Sequence, residues 1–265
     1  MTLPGATFFA DPPFAVGSHA ALGEDEVRHI RALRLAIGDH VALRDGAGET
    51  AIGRLVRAGK TQALVEIEEA ATVDPLPPIH LLVPVADRDR MLWLAEKAAE
   101  LNVASWRPVM WRRSKSVSPR GEGHTFRTKV RARMISAMLQ SRSAWLPEIF
   151  PEAPPDRAIA ATSGGGEEDD TITGHGARIA LEMSGGLIWQ TGTAPLRAPV
   201  TLAIGPEGGF EPSEVDQLVT GGFTLCTLGP SILRFETAAV SAVALARWML
   251  LRSLSDPDHA AAATS

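Results

Sequence analysis

Apolar positions fall into two different rhythms on either side of residues 74–79. Before that point "DHVALRDGAGETAIGRLVRAG" and "TQALVEIEEA" alternate apolar and polar residues, with "DGAG" and "AGK" supplying turn residues between them. This period of two predicts short, half-buried antiparallel strands. Ahead of them "EDEVRHIRALRL" has helical spacing, and Arg28, Arg31 and Arg34 recur every third residue, predicting one shared side of a short helix. After "DPLPPI" the rhythm changes. "IHLLVPV" is a continuous apolar run, and "RMLWLAEKAAELN" places Met91, Leu94, Ala95, Ala98 and Leu101 on one helical face, with Asn102 suited to the left-handed position that closes a helix. "RIALEM", "VTLAI" and "FTLCTLG" follow as strands, and "ETAAVSAVALARWMLL" as a closing helix. Alternating strands and helices predict an α/β fold with a mostly parallel sheet.

The three prolines of "DPLPPI" form a stiff connection. The expected division is a β-domain over residues 1–74, a proline-rich linker over 75–79, an α/β domain over 80–252 and a disordered tail over 253–265. "TSGGGEEDDTITGHG", residues 162–176, is expected to be a flexible loop. The last helix is apolar around much of its circumference, more than one packed face needs. That predicts a homodimer through this helix, with Ala238, Ala242 and Ala246 allowing close approach.

Composition narrows the chemistry. The chain has 265 residues, 45% of them hydrophobic and 22% charged, as in an ordinary soluble protein. No apolar run is long enough to span a bilayer, and "MTLPGATFFADPPF" lacks the pattern of a secretory signal, so a cytoplasmic location without membrane association is expected. The single cysteine, Cys226, excludes an internal disulfide and a cysteine-built metal site. Seven scattered histidines have no ligand spacing, so no metal is expected. The net charge of −5 conceals an asymmetry: residues 107–133 hold nine Lys and Arg against one Glu, a net of +8 that leaves −13 for the remainder. A basic segment on an acidic chain points to one polyanion site.

The glycine-rich "IGPEGGF", residues 204–210, directly follows a strand. It lacks the Lys-Ser/Thr of a P-loop, the spacing of a dinucleotide fingerprint and the serine of a nucleophile elbow. A backbone-lined ligand site at the carboxyl end of a strand remains. "LGPSILRFETA", residues 228–238, repeats the design of strand, Gly-Pro turn and helix start, and could form an opposite wall.

These two stretches in this order, with "EKAAELNVASWRPV" upstream and "HIRALRLAIGDHVALRDGAG" near the N-terminus, resemble the ribosomal RNA small subunit methyltransferase E family. The family belongs to the SPOUT superfamily. The resemblance implies a trefoil-knotted parallel-sheet domain, a PUA-like RNA-binding domain, and a homodimer whose active sites use both subunits. It implies transfer of methyl from S-adenosylmethionine to N3 of a uridine in 16S ribosomal RNA within the small ribosomal subunit. Carried onto this chain, Gly205, Glu207, Gly208 and Gly209 form one wall of the cofactor site. Leu228, Gly229, Ile232 and Leu233 form the other, with Leu181 and Glu182 nearby. Arg234 is the expected catalytic cation, placed to stabilise charge developing on the uracil oxygens. Arg28, Arg31, Arg34, Arg112, Arg113, Lys115 and Arg142 are expected to bind RNA. Ser231 and Phe235 stand where the family commonly carries an arginine and a small residue; in "LQSRS", Leu139 and Ser143 stand where it tends to carry an acid and an arginine. Two other readings stay open: an RNA- and cofactor-binding assembly factor with little or no catalysis, and a SPOUT methyltransferase acting on another RNA.

Overall fold

The computed structural model describes residues 5–116, 120–162, 176–187 and 196–255. The loop expected at 162–176 and the tail lie almost wholly outside these residues. The chain forms two compact units, residues 1–76 with 135–146, and residues 77–134 with 147–265. The division after residue 76 falls inside the proline-rich segment. The grouping of residues 135–146 with the N-terminal unit has no signal in the sequence.

The first unit contains strands β1 (Thr7–Phe9) and β2 (His19–Leu22), helix α1 (Glu24–Ala32), and strands β3 (His40–Arg44), β4 (Glu49–Ala58) and β5 (Ala63–Thr72). They form one sheet in the order β1-β3-β4-β5-β2. The β3–β4 turn is built as its residues dictate: Asp45 Oδ1 accepts from the N–H groups of Ala47 (2.8 Å) and Glu49 (2.9 Å), and Gly48 has φ +101°. The inward residues Val41, Leu43, Leu55, Val65 and Ile67 bury against Val27 and Ile30 of α1. Helix α1 stops before Arg34, which takes a left-handed φ of +57°, so Arg34 does not share a helical side with the other two arginines. Arg28 pairs with Asp25, and Arg31 donates to the carbonyls of Gly59 (2.9 Å) and Lys60 (3.1 Å). The same unit includes Arg142, at φ +63°. Burial, and secondarily Arg142, lowers the pKa of Arg44.

The second unit holds β6 (Ile79–Pro84), α2 (Arg88–Glu100), β7 (Ser105–Val109), a 3-10 turn (Arg112–Ser116) and most of α3 (His124–Ser141). β8 (Glu148–Ile149), α4 (Pro155–Ala161), β9 (Ala177–Leu187), β10 (Val200–Ile204), α5 (Pro212–Thr220), β11 (Thr224–Thr227) and α6 (Phe235–Ser255) complete it. The sheet runs β11-β9-β10-β6-β7-β8, with every pairing parallel. β7 and β10 are buried at every residue, as strands covered on both faces must be. The predicted helix is in place: Met91, Leu94, Ala95 and Ala98 are buried, and Asn102 has φ +54°. Among the described residues no helix is long and apolar enough to cross a membrane.

Helix α6 carries a buried arginine. Arg247 donates to the carbonyls of Pro77 and Asn102, each at 2.6 Å, joining the helix to the entry of β6 and the end of α2. Ala242 and Ala246 are buried within the chain's own core, a correction to the close approach to a second subunit expected of them. Arg247→Ala should unsatisfy both carbonyls and lower stability by roughly 2–4 kcal/mol, read by urea unfolding. A second test concerns His80, whose Nδ1 lies 2.8 Å from Ser105 Oγ. Burial lowers its pKa from 6.5 to about 4. The unfolded chain therefore takes up a proton that the folded chain refuses. Stability from this site is full above pH 6.5 and declines as pH falls from 6.5 toward 4, by no more than about 3 kcal/mol. His80→Asn should flatten that part of the pH–stability curve.

Candidate functional site: a glycine-rich crevice at the carboxyl end of the sheet

β10 ends at Ile204, and the next residues must turn sharply to start α5. Gly209 makes the turn possible, with φ +71° and its N–H donating to the Pro206 carbonyl at 2.8 Å. Phe210 then drops into the core and meets the Trp111 ring edge-on at 4.8 Å. A capping box opens α5: Glu211 and Glu214 each accept from the other's backbone N–H. The buried Glu214 also accepts from the Arg112 N–H at 2.7 Å. Arg113 completes the fastening. Its guanidinium donates to Glu211 Oε1 at 2.9 Å and to the Gly208 carbonyl. A Cβ added at Gly208 would stand 3.0 Å from Arg113 Cδ, so this glycine makes room for the arginine.

Against this loop lies a cavity of about 240 Å³. Gly205, Glu207, Gly208 and Gly209 border it on one side, and Leu228, Ser231, Ile232 and Leu233 on another. Leu181, Glu182 and Met183 supply a third. They reach it because β9 is irregular: Leu225 pairs with Ala180 but Cys226 pairs with Gly186, leaving the intervening residues as a bulge. The cavity thus gathers every residue predicted for the cofactor except Gly229, which adjoins it in sequence and bonds to Thr227 Oγ1. Ile232 is 83% exposed and Leu233 38%, so these apolar side chains are not core packing but the rim of an opening. Cys226 is buried at the cavity's border.

The donor set suits a sulfonium-bearing adenosyl compound. Glu182 and Glu207 provide negative charge, the leucines and Ile232 provide an apolar surface for a purine ring, and the loop offers backbone groups for its edges.

A second cavity of about 570 Å³ adjoins the first. Pro206, Glu207, Gly208 and Phe235 border both. Its other residues are Val85, Ala86, Asp87, Arg90, Arg112, Arg113 and Ser114. Arg90, on α2, pairs with Glu207 and lies 3.9 Å from Glu236 Oε1. No sequence signal marks Arg90, because it reaches this place only through the docking of α2 beside the loop. Glu236 is buried. Arg234 is exposed and borders neither cavity. Phe235 is buried and borders both cavities. The side chain of Lys115 lies outside the described residues. Among the described residues no group of three His, Cys, Asp or Glu could hold a metal ion.

Comparison with known proteins agrees with this anatomy. A family model described as an RNA methyltransferase domain matches residues 73–247, and an RNA methyltransferase PUA domain matches residues 22–68. Ribosomal RNA small subunit methyltransferase E of Mycobacterium bovis is 25% identical over 240 residues, 89% of this chain and 88% of that protein. Its counterpart from Synechocystis is 26% identical over 216 residues, 81% of this chain and 67% of that one. The crystal structure of ribosomal RNA small subunit methyltransferase E from Neisseria gonorrhoeae, bound to S-adenosyl methionine, superposes with a TM-score of 0.79 at 25% identity, covering 94% of this chain and 98% of that one. The α/β unit, the PUA-like unit and the crevice between two Gly-Pro loops have one account: the chain belongs to the RNA methyltransferase family, in the branch of ribosomal RNA small subunit methyltransferase E.

Proposed function

We propose that this protein methylates N3 of a uridine in 16S ribosomal RNA of the small ribosomal subunit, using S-adenosylmethionine, as a cytoplasmic homodimer with a trefoil-knotted catalytic domain. The observation that carries the reading is the 240 Å³ cavity, where two Gly-Pro loops separated by α5 and β11 converge with Glu182. When bound, the cofactor supplies a methyl group on a cationic sulfonium; transfer forms an N3–carbon bond, breaks the sulfur–carbon bond, and releases the N3 proton to solvent.

The chain's own residues then have definite tasks. Leu228, Ile232 and Leu233 cover the adenine faces and exclude water. Glu182 balances the sulfonium charge, and Arg90 neutralises Glu207 and holds it in the loop. The loop stays rigid through Phe210, Glu214 and Arg113, so that little ordering is left for the moment of binding. Arg234 stabilises negative charge on the uracil oxygens. It is exposed and stands outside both cavities of its own chain, as suits a group completed by a second subunit.

The dimer surface is the outward stripe of α6. Trp248 is 59% exposed and Leu251 39%, with the exposed Ala244 one turn before Trp248. A large apolar stripe on one helix marks an association face. Trp248→Glu should shift the protein toward a monomeric mass in light scattering.

The function itself is tested by calorimetry with S-adenosylmethionine, followed by nucleoside mass spectrometry of 16S RNA incubated as free RNA and as assembled subunits. Cofactor binding and a single new 3-methyluridine are expected. Methylation elsewhere would move the substrate to another RNA position. Binding of RNA and cofactor without transfer would favour the assembly-factor reading.

A further inference from the structure

The 570 Å³ cavity beside the cofactor crevice is large enough for a nucleotide, and its charges are unequally committed. Asp87 caps α2 by accepting from the N–H groups of Asp89 (3.2 Å) and Arg90 (3.1 Å). Glu207 and Arg90 pair with each other. Arg113 is spent on Glu211 and the Gly208 carbonyl. Arg112 differs from its neighbour. Its backbone N–H is held by Glu214, but its side chain is exposed and has no partner among the described residues. Ser114, also on the border, is buried with an Oγ that meets no hydrogen-bond partner. A guanidinium at a roomy cavity, with no partner among the described residues, points to an anionic tenant.

Geometry says which. Methyl transfer brings acceptor and donor to within about 3–3.5 Å, so an acceptor pocket must share a wall with the donor pocket. This cavity does so through Pro206, Glu207, Gly208 and Phe235.

We infer that the 570 Å³ cavity is the acceptor-nucleotide pocket, in which Arg112 grips a phosphate of the RNA strand while the adjacent Arg113 is a positioning residue for the cofactor loop. The inference rests on the methyltransferase reading. It divides two neighbouring arginines that composition alone assigns to one RNA-binding patch. Arg112 serves RNA; Arg113 serves the cofactor, by holding the carbonyl that follows Glu207.

The same guanidinium chemistry would also fit the carboxylate of the cofactor's methionine tail, and the two sources separate by experiment. Arg112→Ala, Arg113→Ala and Arg113→Lys are made in the full chain. S-adenosylmethionine affinity is measured by calorimetry, RNA affinity over a range of salt by filter binding, and KM and kcat by nucleoside mass spectrometry. Arg112→Ala should raise KM for RNA about fivefold or more and reduce the salt slope by about one. Its kcat and its affinity for S-adenosylmethionine should stay at the wild-type level. Arg113→Ala should weaken S-adenosylmethionine about tenfold. Arg113→Lys, which keeps one donor for the Gly208 carbonyl, should recover part of the loss. Weaker S-adenosylmethionine binding in Arg112→Ala would put the cofactor's carboxylate in this cavity and overturn the inference. So would wild-type KM and salt slope in that variant. A wild-type protein that binds S-adenosylmethionine yet methylates no RNA strikes the proposed function. In that case equal RNA affinity of Arg112→Ala and wild type removes the acceptor pocket as well.

Discussion

The buried carboxylate of Glu214 is the constraint on which the site depends. Its oxygens accept from the N–H of Glu211 and the N–H of Arg112, 2.8 and 2.7 Å away. One side chain therefore satisfies the start of α5 and the start of the 3-10 turn after β7. Both are backbone ends that would otherwise lie unpaired in a dry place, and each unpaired group would cost about 1–3 kcal/mol. The crevice loop has no freedom to move away from the Arg112–Ser114 segment while this arrangement lasts. Arg113 and the Phe210–Trp111 contact tighten the same junction from either side.

This junction explains why two cavities can share one thin wall. Pro206–Gly208 is bare loop, and a loop left to itself would not hold a fixed separation between two cavities. Here it is fastened by Arg113 at the Gly208 carbonyl and by Arg90 at Glu207. The fastening comes from two different elements, the 3-10 turn and α2. A further anchor lies where the wall meets α6: buried Phe235 borders both cavities, and buried Glu236 lies 3.9 Å from Arg90. Arg90, Glu207 and Arg113 are committed to internal pairs at this wall, and Arg112 stands out because its side chain has no partner among the described residues.

β9 shows a related economy. A regular strand would alternate its side chains and send Leu181 and Met183 to one face and Glu182 to the other. The bulge between its two pairing registers with β11 breaks that alternation and brings all three to the crevice. The glycines at 185 and 186 fit this bend: a Cβ at Gly185 would come within 2.4 Å of the β11 backbone.

Much of this was legible in the residues. The strand runs, the α2 face, the left-handed Asn102 and the two Gly-Pro loops follow from local rules, because burial on a sheet or helix imposes a period that a sequence must carry. The residues that the family resemblance marked for the cofactor, Gly229 excepted, border one cavity, because two strand-ending glycine-proline loops meet there. Three things were not legible. Arg90 reaches the loop only because α2 docks beside it, and a helical arginine has no local mark of its partner. Arg112 and Arg113 are identical in type and adjacent in sequence, yet the 3-10 turn gives one to the Gly208 carbonyl and leaves the other to the open cavity. Ala242 and Ala246 were expected to allow close approach of a second subunit, but α6 buries them in its own chain and leaves Trp248 exposed. Periodicity states how many faces a helix has; which of them meets the core is decided by the docking of the whole chain, because burial energy depends on area covered by residues distant in sequence.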